Sequence, residues 1–345
     1  MRANSMRAAR LHAYGSGKLR LEEVDDPSAT AAHDVVVRIG GAGLCRTDLH
    51  IIEGRLRDAV GRLPRILGHE NAGWVEEVGP AVSDMAVGDP VILHPLATCG
   101  RCLECRAGND MHCADQSFPG LTADGGFAEL VKTNHRAIVA VPSGLDPADV
   151  APLADAGLAA IHAVKRVSAN LTPDASAVVI GAGGLGHLGV QCLKALTPVR
   201  VIVVDTSAHA LELAREVGAD DAVLADGRHV EAVRELTGGA AAAVLDFVGE
   251  DDSIAAGLAL LRRGGVYAVI GYGGTFTVPA VELVASELTI VGNLVGTYTD
   301  LVDLLALAAA RKVHIRTTAY PLDSLNDAIA DLDAGRLSGR AVIVP

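Results

Sequence analysis

AVVIGAGGLGHLGVQCLKAL, residues 177–196, decides how the middle of the chain folds. Four apolar residues read as a strand. Gly181, Gly183 and Gly186 follow at the spacing G-x-G-x-x-G, with Gly184 and Leu185 inside the motif, and a helical apolar period then resumes. Gly181 allows the tight turn, Gly183 lets a pyrophosphate approach the backbone, and Gly186 lets helix pack against strand. The phosphates would meet the unpaired N–H groups at the helix start. At the end of the next apolar run stands Asp205. A carboxylate there accepts hydrogen bonds from both adenosine ribose hydroxyls and repels a 2′-phosphate. No Arg or Lys follows within several residues, so NAD is favoured over NADP. The plainer reading is a glycine-rich structural turn and a capping aspartate, but strand, motif, helix and acid stand in the order that a Rossmann unit requires.

Outward from this turn, apolar strands alternate with helical periods. VRVIVVD (199–205), DAVLA (221–225), AVLDFVG (243–249), VYAVIGY (266–272) and LTIVGN (288–293) read as strands, with amphipathic stretches such as SAHALELAREVG between them. Such alternation predicts an α/β domain with a doubly wound parallel sheet over residues 156–296. Upstream the pattern changes. DVVVRIG (34–40), AGWVEEVG (72–79), GDPVIL (88–93) and FAELVKT (127–133) are short runs separated by Gly, Pro and Asp, which suits a β-barrel over residues 1–155. Residues 297–345 read as mixed helix and strand. Cys192, alone on an apolar helix, reads as core packing.

The chain has 345 residues, half of them hydrophobic, which suits two globular domains. No apolar run approaches the roughly 18 residues of a membrane span, and the N-terminus carries no apolar signal region. A net charge of −13 and only 3% aromatic residues argue against nucleic acid and anionic membrane as partners. The expectation is a cytoplasmic enzyme acting on a small molecule.

Two groups of residues have metal-ligand character. Cys99, Cys102, Cys105 and Cys113 lie in ATCGRCLECRAGNDMHC, close enough for four thiolates to surround one tetrahedral ion with no position left open. The alternative is a pair of disulfides, which a cytoplasmic setting disfavours. The second group is dispersed: Cys45 in GLCRTDLH, His69 in LGHENAG and Asp155 in PLADAG. Each alone reads as an ordinary core or capping residue. Together they offer three ligands and an open fourth position, as a catalytic zinc site needs.

The motifs GLCRTD, GHE-x-x-G, the four-cysteine lobe, DGGFAE (124–129), PLADAG, GAGGLG and the terminal GRAVIVP jointly resemble the zinc-dependent alcohol dehydrogenases of the medium-chain dehydrogenase/reductase family, with the bacterial and archaeal secondary-alcohol branch favoured by PLADAG. The resemblance spans essentially the whole chain. It implies a GroES-like barrel as the catalytic domain, with a structural zinc lobe at about residues 95–115, and a Rossmann domain, with 297–345 returning to the barrel domain. It also implies two zinc ions per chain: a catalytic one on Cys45, His69 and Asp155, and a structural one on the four-cysteine lobe. Glu70 would lie behind the catalytic metal, Asp48 would orient His69, and Thr47 and His50 would form the proton relay. Arg340 would pair with the cofactor pyrophosphate, while Phe247, Val248, Leu294 and Val295 would lie along the nicotinamide ribose and carboxamide. Ile51, Leu96 and Leu121 would line an apolar pocket, and a homo-oligomer, dimer or tetramer, would form through the sheet edge near LTIVGN. Leu96 stands where several relatives carry an aromatic residue. Polyol, amino-alcohol and threonine dehydrogenases share these motifs and remain alternatives. A zinc-free quinone reductase would lack the cysteine lobe. A non-catalytic NAD-binding protein would be expected to have lost a site residue.

Overall fold

In the computed structural model, which describes residues 5–345, Ser176–Ile180 is an inner strand of a six-stranded sheet. The strand order is 221–224, 200–205, 176–180, 241–246, 261–269, 289–292, and every pairing is parallel. Chain progress reverses between 176–180 and 241–246, so their carboxyl ends form the topological switch point at which open α/β sheets bind ligands. Ala177–Val179 and Ala241–Leu245 are buried along their length, as strands covered on both faces must be. Val178, Ile202, Val244 and Tyr267 belong to one core of this sheet. Helix Gly186–Leu196 follows the glycine turn, and its first eight residues are buried.

This sheet belongs to a unit comprising Gly157–Gly296 with Ala310–His314. A second unit holds the chain up to Ala156 together with Thr297–Ala309 and Ile315–Pro345. Its organising strand is Asp34–Leu44, which pairs antiparallel with Glu70–Val78, Leu130–Asn134 and Arg340–Val344. Register shifts at Val36/Val37 and Ile39/Gly41 bend this strand, as bulges do in closed or strongly curved sheets. Leu11, Val35, Val37, Ile51, Leu67, Phe127 and Ile343 fill the interior. A two-stranded ribbon of Ala97–Thr98 and Gln116–Ser117 brackets the cysteine-rich excursion. No described helix is long and apolar enough to cross a membrane.

Candidate active site

The curved strand Asp34–Leu44 ends at the first ligand candidate. Cys45 is the N-cap of helix Arg46–Glu53, and the backbone N–H of Cys45 donates to Asp48 Oδ2 at 2.9 Å. Asp48, fully buried, therefore closes the helix start and turns its other oxygen toward His69, 3.4 Å from Nδ1. With Nδ1 on the Asp48 side, His69 Nε2 lies 3.6 Å from Asp155 Oδ2. One donor atom each from Cys45, His69, Glu70 and Asp155 lies within 4.8 Å of the others. His69 is 2% exposed and Cys45 6%, so this is a desolvated cluster of a thiol, an imidazole and two carboxylates.

Glu70 sits opposite Gly43 across the paired strands, and a Cβ at Gly43 would occupy the space of the Glu70 carboxylate. Glycine there lets the acid fold inward. Its Oε1 accepts the Ala156 N–H at 3.2 Å and pairs with the Arg340 guanidinium, while Oε2 is buried without a partner. Burial pushes the Glu70 carboxyl up to about 7 against the pull of Arg340. Burial disfavours charge on His69, yet the Asp48 and Asp155 carboxylates outweigh it and hold the imidazole well above the usual histidine range. Asp155 stays below the usual carboxylate range, because His69 and Arg340 outweigh its burial. So much negative charge held out of water, around a thiol and an imidazole with its second nitrogen on a carboxylate, is the donor chemistry of a divalent zinc-type cation. The residues fit such an ion.

Thr47 and His50 occupy the same helix three residues apart, hence on one face, and both are half-buried. Arg340 is 4% exposed and committed to Glu70, with its Nε–H buried and unpaired. Ile51 is packed in the barrel core, Leu96 is buried, and Leu121 is partly buried against that core.

The four-cysteine group also converges. One sulfur from each of Cys99, Cys102, Cys105 and Cys113 lies within 4.8 Å of the others, and all six cysteines are unpaired, so the disulfide alternative is not taken. Cys102 caps helix Leu103–Ala107, accepting the Cys105 N–H, and Gly100 and Gly108 sit at φ +70° and +80° to turn the loop back on itself. Backbone N–H groups of Arg101 and Cys102 bring the Cys99 thiol down to about 6, whereas burial pushes Cys113 up to about 11. Four sulfurs in a closed cage fit a structural ion.

In the parallel-sheet unit, a cavity of about 510 Å³ opens at the switch point, lined by Gly181, Asp205, Val248, Glu250 and Ser253 among others. Gly181 is at φ +85°, and a Cβ on Gly186 would overlap the Gly181 carbonyl oxygen, so both need glycine. Nothing lies within 4 Å of where a Gly183 Cβ would point, which leaves its backbone open to a ligand. Asp205 accepts the Ala182 N–H at 2.7 Å and the Ser207 N–H at 2.8 Å, so its carboxylate is fixed at the cavity. The cradle fits a dinucleotide. Val248 is exposed at this cavity, but Phe247 packs against the helix beside Gly186 and Gly189. Leu294 is exposed, and Val295 is buried at φ +50°. No motif in the sequence marks Asp246, a fully buried carboxylate beneath the cavity wall. Its partners Val248, Gly249, Ser253 and Tyr267 follow no helical or strand period, and only an acid at the end of an apolar strand could have marked it.

Two family models match: the alcohol dehydrogenase GroES-like domain over residues 31–143 and the zinc-binding dehydrogenase over residues 184–310. The NAD-dependent alcohol dehydrogenase of Sulfurisphaera tokodaii is 34% identical, covering 99% of this chain and all of that protein. The D-arabinose 1-dehydrogenase (NADP+) of Saccharolobus solfataricus is also 34% identical, over 96% of this chain and 95% of its own. The crystal structure of the alcohol dehydrogenase from Aeropyrum pernix superposes with a TM-score of 0.95 at 44% identity, over 98% of this chain and 100% of the other.

Proposed function

The chain belongs to the zinc-binding alcohol dehydrogenase family, and from that premise we propose that it oxidises an apolar secondary or primary alcohol with NAD, using two zinc ions per chain. The observation that carries this reading is the convergence of Cys45, His69 and Asp155 donor atoms, with Glu70, in a desolvated cluster. Those three residues would hold the catalytic ion and leave a position for the substrate oxygen, and the four cysteines would hold the second ion. When bound, zinc supplies Lewis-acid polarisation of the substrate oxygen, and NAD supplies the hydride acceptor.

The remaining work falls to the chain's own side chains. The Thr47 hydroxyl accepts the alcohol proton as it passes on its own, and His50, on the same helix face, would deliver a proton to solvent. Asp48 fixes the His69 ring so that Nε2 faces the metal position. Glu70, paired with Arg340, balances the charge behind the ligands. The arginine at position 340 would suit an anion-binding role toward the cofactor phosphates, as the family resemblance implies. The fixed Asp205 carboxylate at the cavity supports NAD over NADP.

The apolar character of Leu96 and Leu121 supports a hydrophobic substrate, whereas Ile51 is fully buried in the barrel core and lines no pocket. A polyol or sugar is the second reading, favoured by the equal identity of the relative named D-arabinose 1-dehydrogenase. Homo-oligomerisation is supported by strand Thr289–Gly292, which edges its sheet, and by the adjoining helix Ala280–Ser286, which buries no residue and exposes Val281 and Val284. Six unpaired cysteines suit a reducing, cytoplasmic setting. A panel of apolar alcohols, polyols and aldoses, assayed for NADH formation with zinc content measured, tests the reading. Turnover of polyols or sugars alone would overturn the apolar assignment.

A further inference from the structure

Asp246 ends strand Ala241–Asp246 and is completely buried, yet it contributes nothing to the chemistry described above. Its two oxygens are shared among four donors. Oδ1 accepts the Val248 N–H at 2.9 Å and the Gly249 N–H at 3.0 Å. Oδ2 accepts the Ser253 hydroxyl at 2.8 Å and the Tyr267 phenol at 2.7 Å. Tyr267 is itself fully buried, and burial followed by the Asp246 charge raises its pKa, so the phenol remains a donor. The carboxylate is thus a hub that joins one strand end, the turn after it, the first turn of helix Asp251–Leu260 and the neighbouring strand Leu261–Val269.

The turn held by Asp246 is fixed from other sides as well. Gly249 is at φ +68°, and a Cβ there would overlap the Gly271 carbonyl. The Ile270 and Gly271 N–H groups both donate to the Asp246 carbonyl oxygen, and Gly274 N–H donates to Gly249 O at 2.7 Å. Two of the elements tethered by the carboxylate face the switch-point cavity, for Val248 and Ser253 line it together with Gly181 and Asp205. Val248 Cγ2 would lie 2.7 Å from a Cβ on Gly181, so the turn rests directly against the glycine loop.

We propose that Asp246 is a positioning residue for the dinucleotide: its carboxylate holds the 247–250 turn and Ser253 as one wall of the cavity, and thereby sets cofactor affinity without touching the cofactor. The proposal rests on the reading of that cavity as the dinucleotide site. Neutral Asn at this position would present an amide donor to at least one of the four donors, and losing hydrogen bonds to a charged acceptor corresponds to at least about a tenfold loss if the wall relaxes.

The test uses the full-length, zinc-loaded protein. Binding of NADH is followed by fluorescence and of ADP-ribose by calorimetry, for wild type, Asp246→Asn and Tyr267→Phe, at a temperature where circular dichroism shows each variant folded. The expected result is a dissociation constant raised about tenfold or more for both ligands in Asp246→Asn, with a smaller rise in Tyr267→Phe. In turnover, KM for NAD should rise with it while kcat falls far less. Tyr267→Phe removes only one donor, so it serves if Asp246→Asn does not fold. Folded variants of lower melting temperature that bind both ligands as wild type does would overturn the proposal and leave Asp246 a stability residue. Failure of the wild type itself to bind ADP-ribose would instead overturn the reading of the cavity.

Discussion

Replacing Arg340 with Met should unfold the barrel unit's margin of stability from its centre. Arg340 is 4% exposed and Glu70 fully buried, and their ion pair links strands 270 residues apart in sequence. Without the guanidinium, Glu70 keeps only the Ala156 N–H on Oε1, while Oε2 already lacks a partner. Removing one member of a buried pair costs about 3–5 kcal/mol, because the other charge stays desolvated. That is about a fifth or more of the roughly 5–15 kcal/mol that a domain commands, equivalent to a fall of about 10 °C in melting temperature for a unit of this size. Trp74 is the chain's single tryptophan and lies on the same strand as Glu70, so its fluorescence reports this unit alone. Urea unfolding of the zinc-loaded protein, followed at Trp74, should show the midpoint fall in Arg340→Met and recover in part when Glu70→Gln is added, since the double variant strands no charge. A single variant within about 1 kcal/mol of wild type would refute the claim that the pair is desolvated and mutually dependent.

Thr47→Val should lower turnover by about a hundredfold or more while leaving zinc content unchanged, and near-normal turnover would remove Thr47 from the relay. Asp205→Ser should raise KM for NAD and lower it for NADP, measured by paired steady-state kinetics; an unchanged ratio would mean that the acid does not read the ribose. Lowering the pH should release the ion from the four-cysteine lobe as protons compete for the thiolates, and Cys105→Ser should shift that release to higher pH, followed with a chromogenic chelator. Burial alone would raise the Asp220 pKa, but the Val201 N–H and Lys194 outweigh it and hold it low. Its stabilising contribution is therefore present above the unfolded carboxylate pKa of about 4 and lost as pH falls through the folded value. With both side chains more than a third exposed, Asp220→Asn should cost under about 1 kcal/mol at neutral pH and nothing near pH 2, measured by unfolding at both.

The parallel sheet was legible because its inner strands are apolar runs buried on both faces, and because the glycine spacing around 181–186 has a steric cause. Strand Arg20–Asp25 escaped notice, since RLEEVD lies largely exposed and carries no alternating apolar face. AVLDFVG reads as strand to residue 249, yet the strand stops at Asp246, whose carboxylate folds forward to take the Val248 and Gly249 N–H groups. FAELVKT reads as strand from 127, whereas pairing with the long strand begins at Leu130; Phe127 instead donates its N–H to Leu67 and fills the core. The four-cysteine cage declared itself by spacing alone. The second cluster did not, because Cys45, His69 and Asp155 lie on three separate segments that only the barrel brings together. The Glu70–Arg340 pair depends on a still longer sequence separation, while the Asp246 hub gathers partners within 21 residues at spacings that neither strand nor helix periodicity records.

The most direct test of the whole account is to incubate the zinc-loaded protein with NAD and an apolar secondary alcohol deuterated at its carbinol carbon, and to examine the nicotinamide product by NMR. Ketone and reduced cofactor should form in equal amounts, with the deuterium on the reduced nicotinamide ring. Ketone formed without deuterium on the ring, or no turnover of any apolar alcohol by protein whose zinc content is verified, would contradict it.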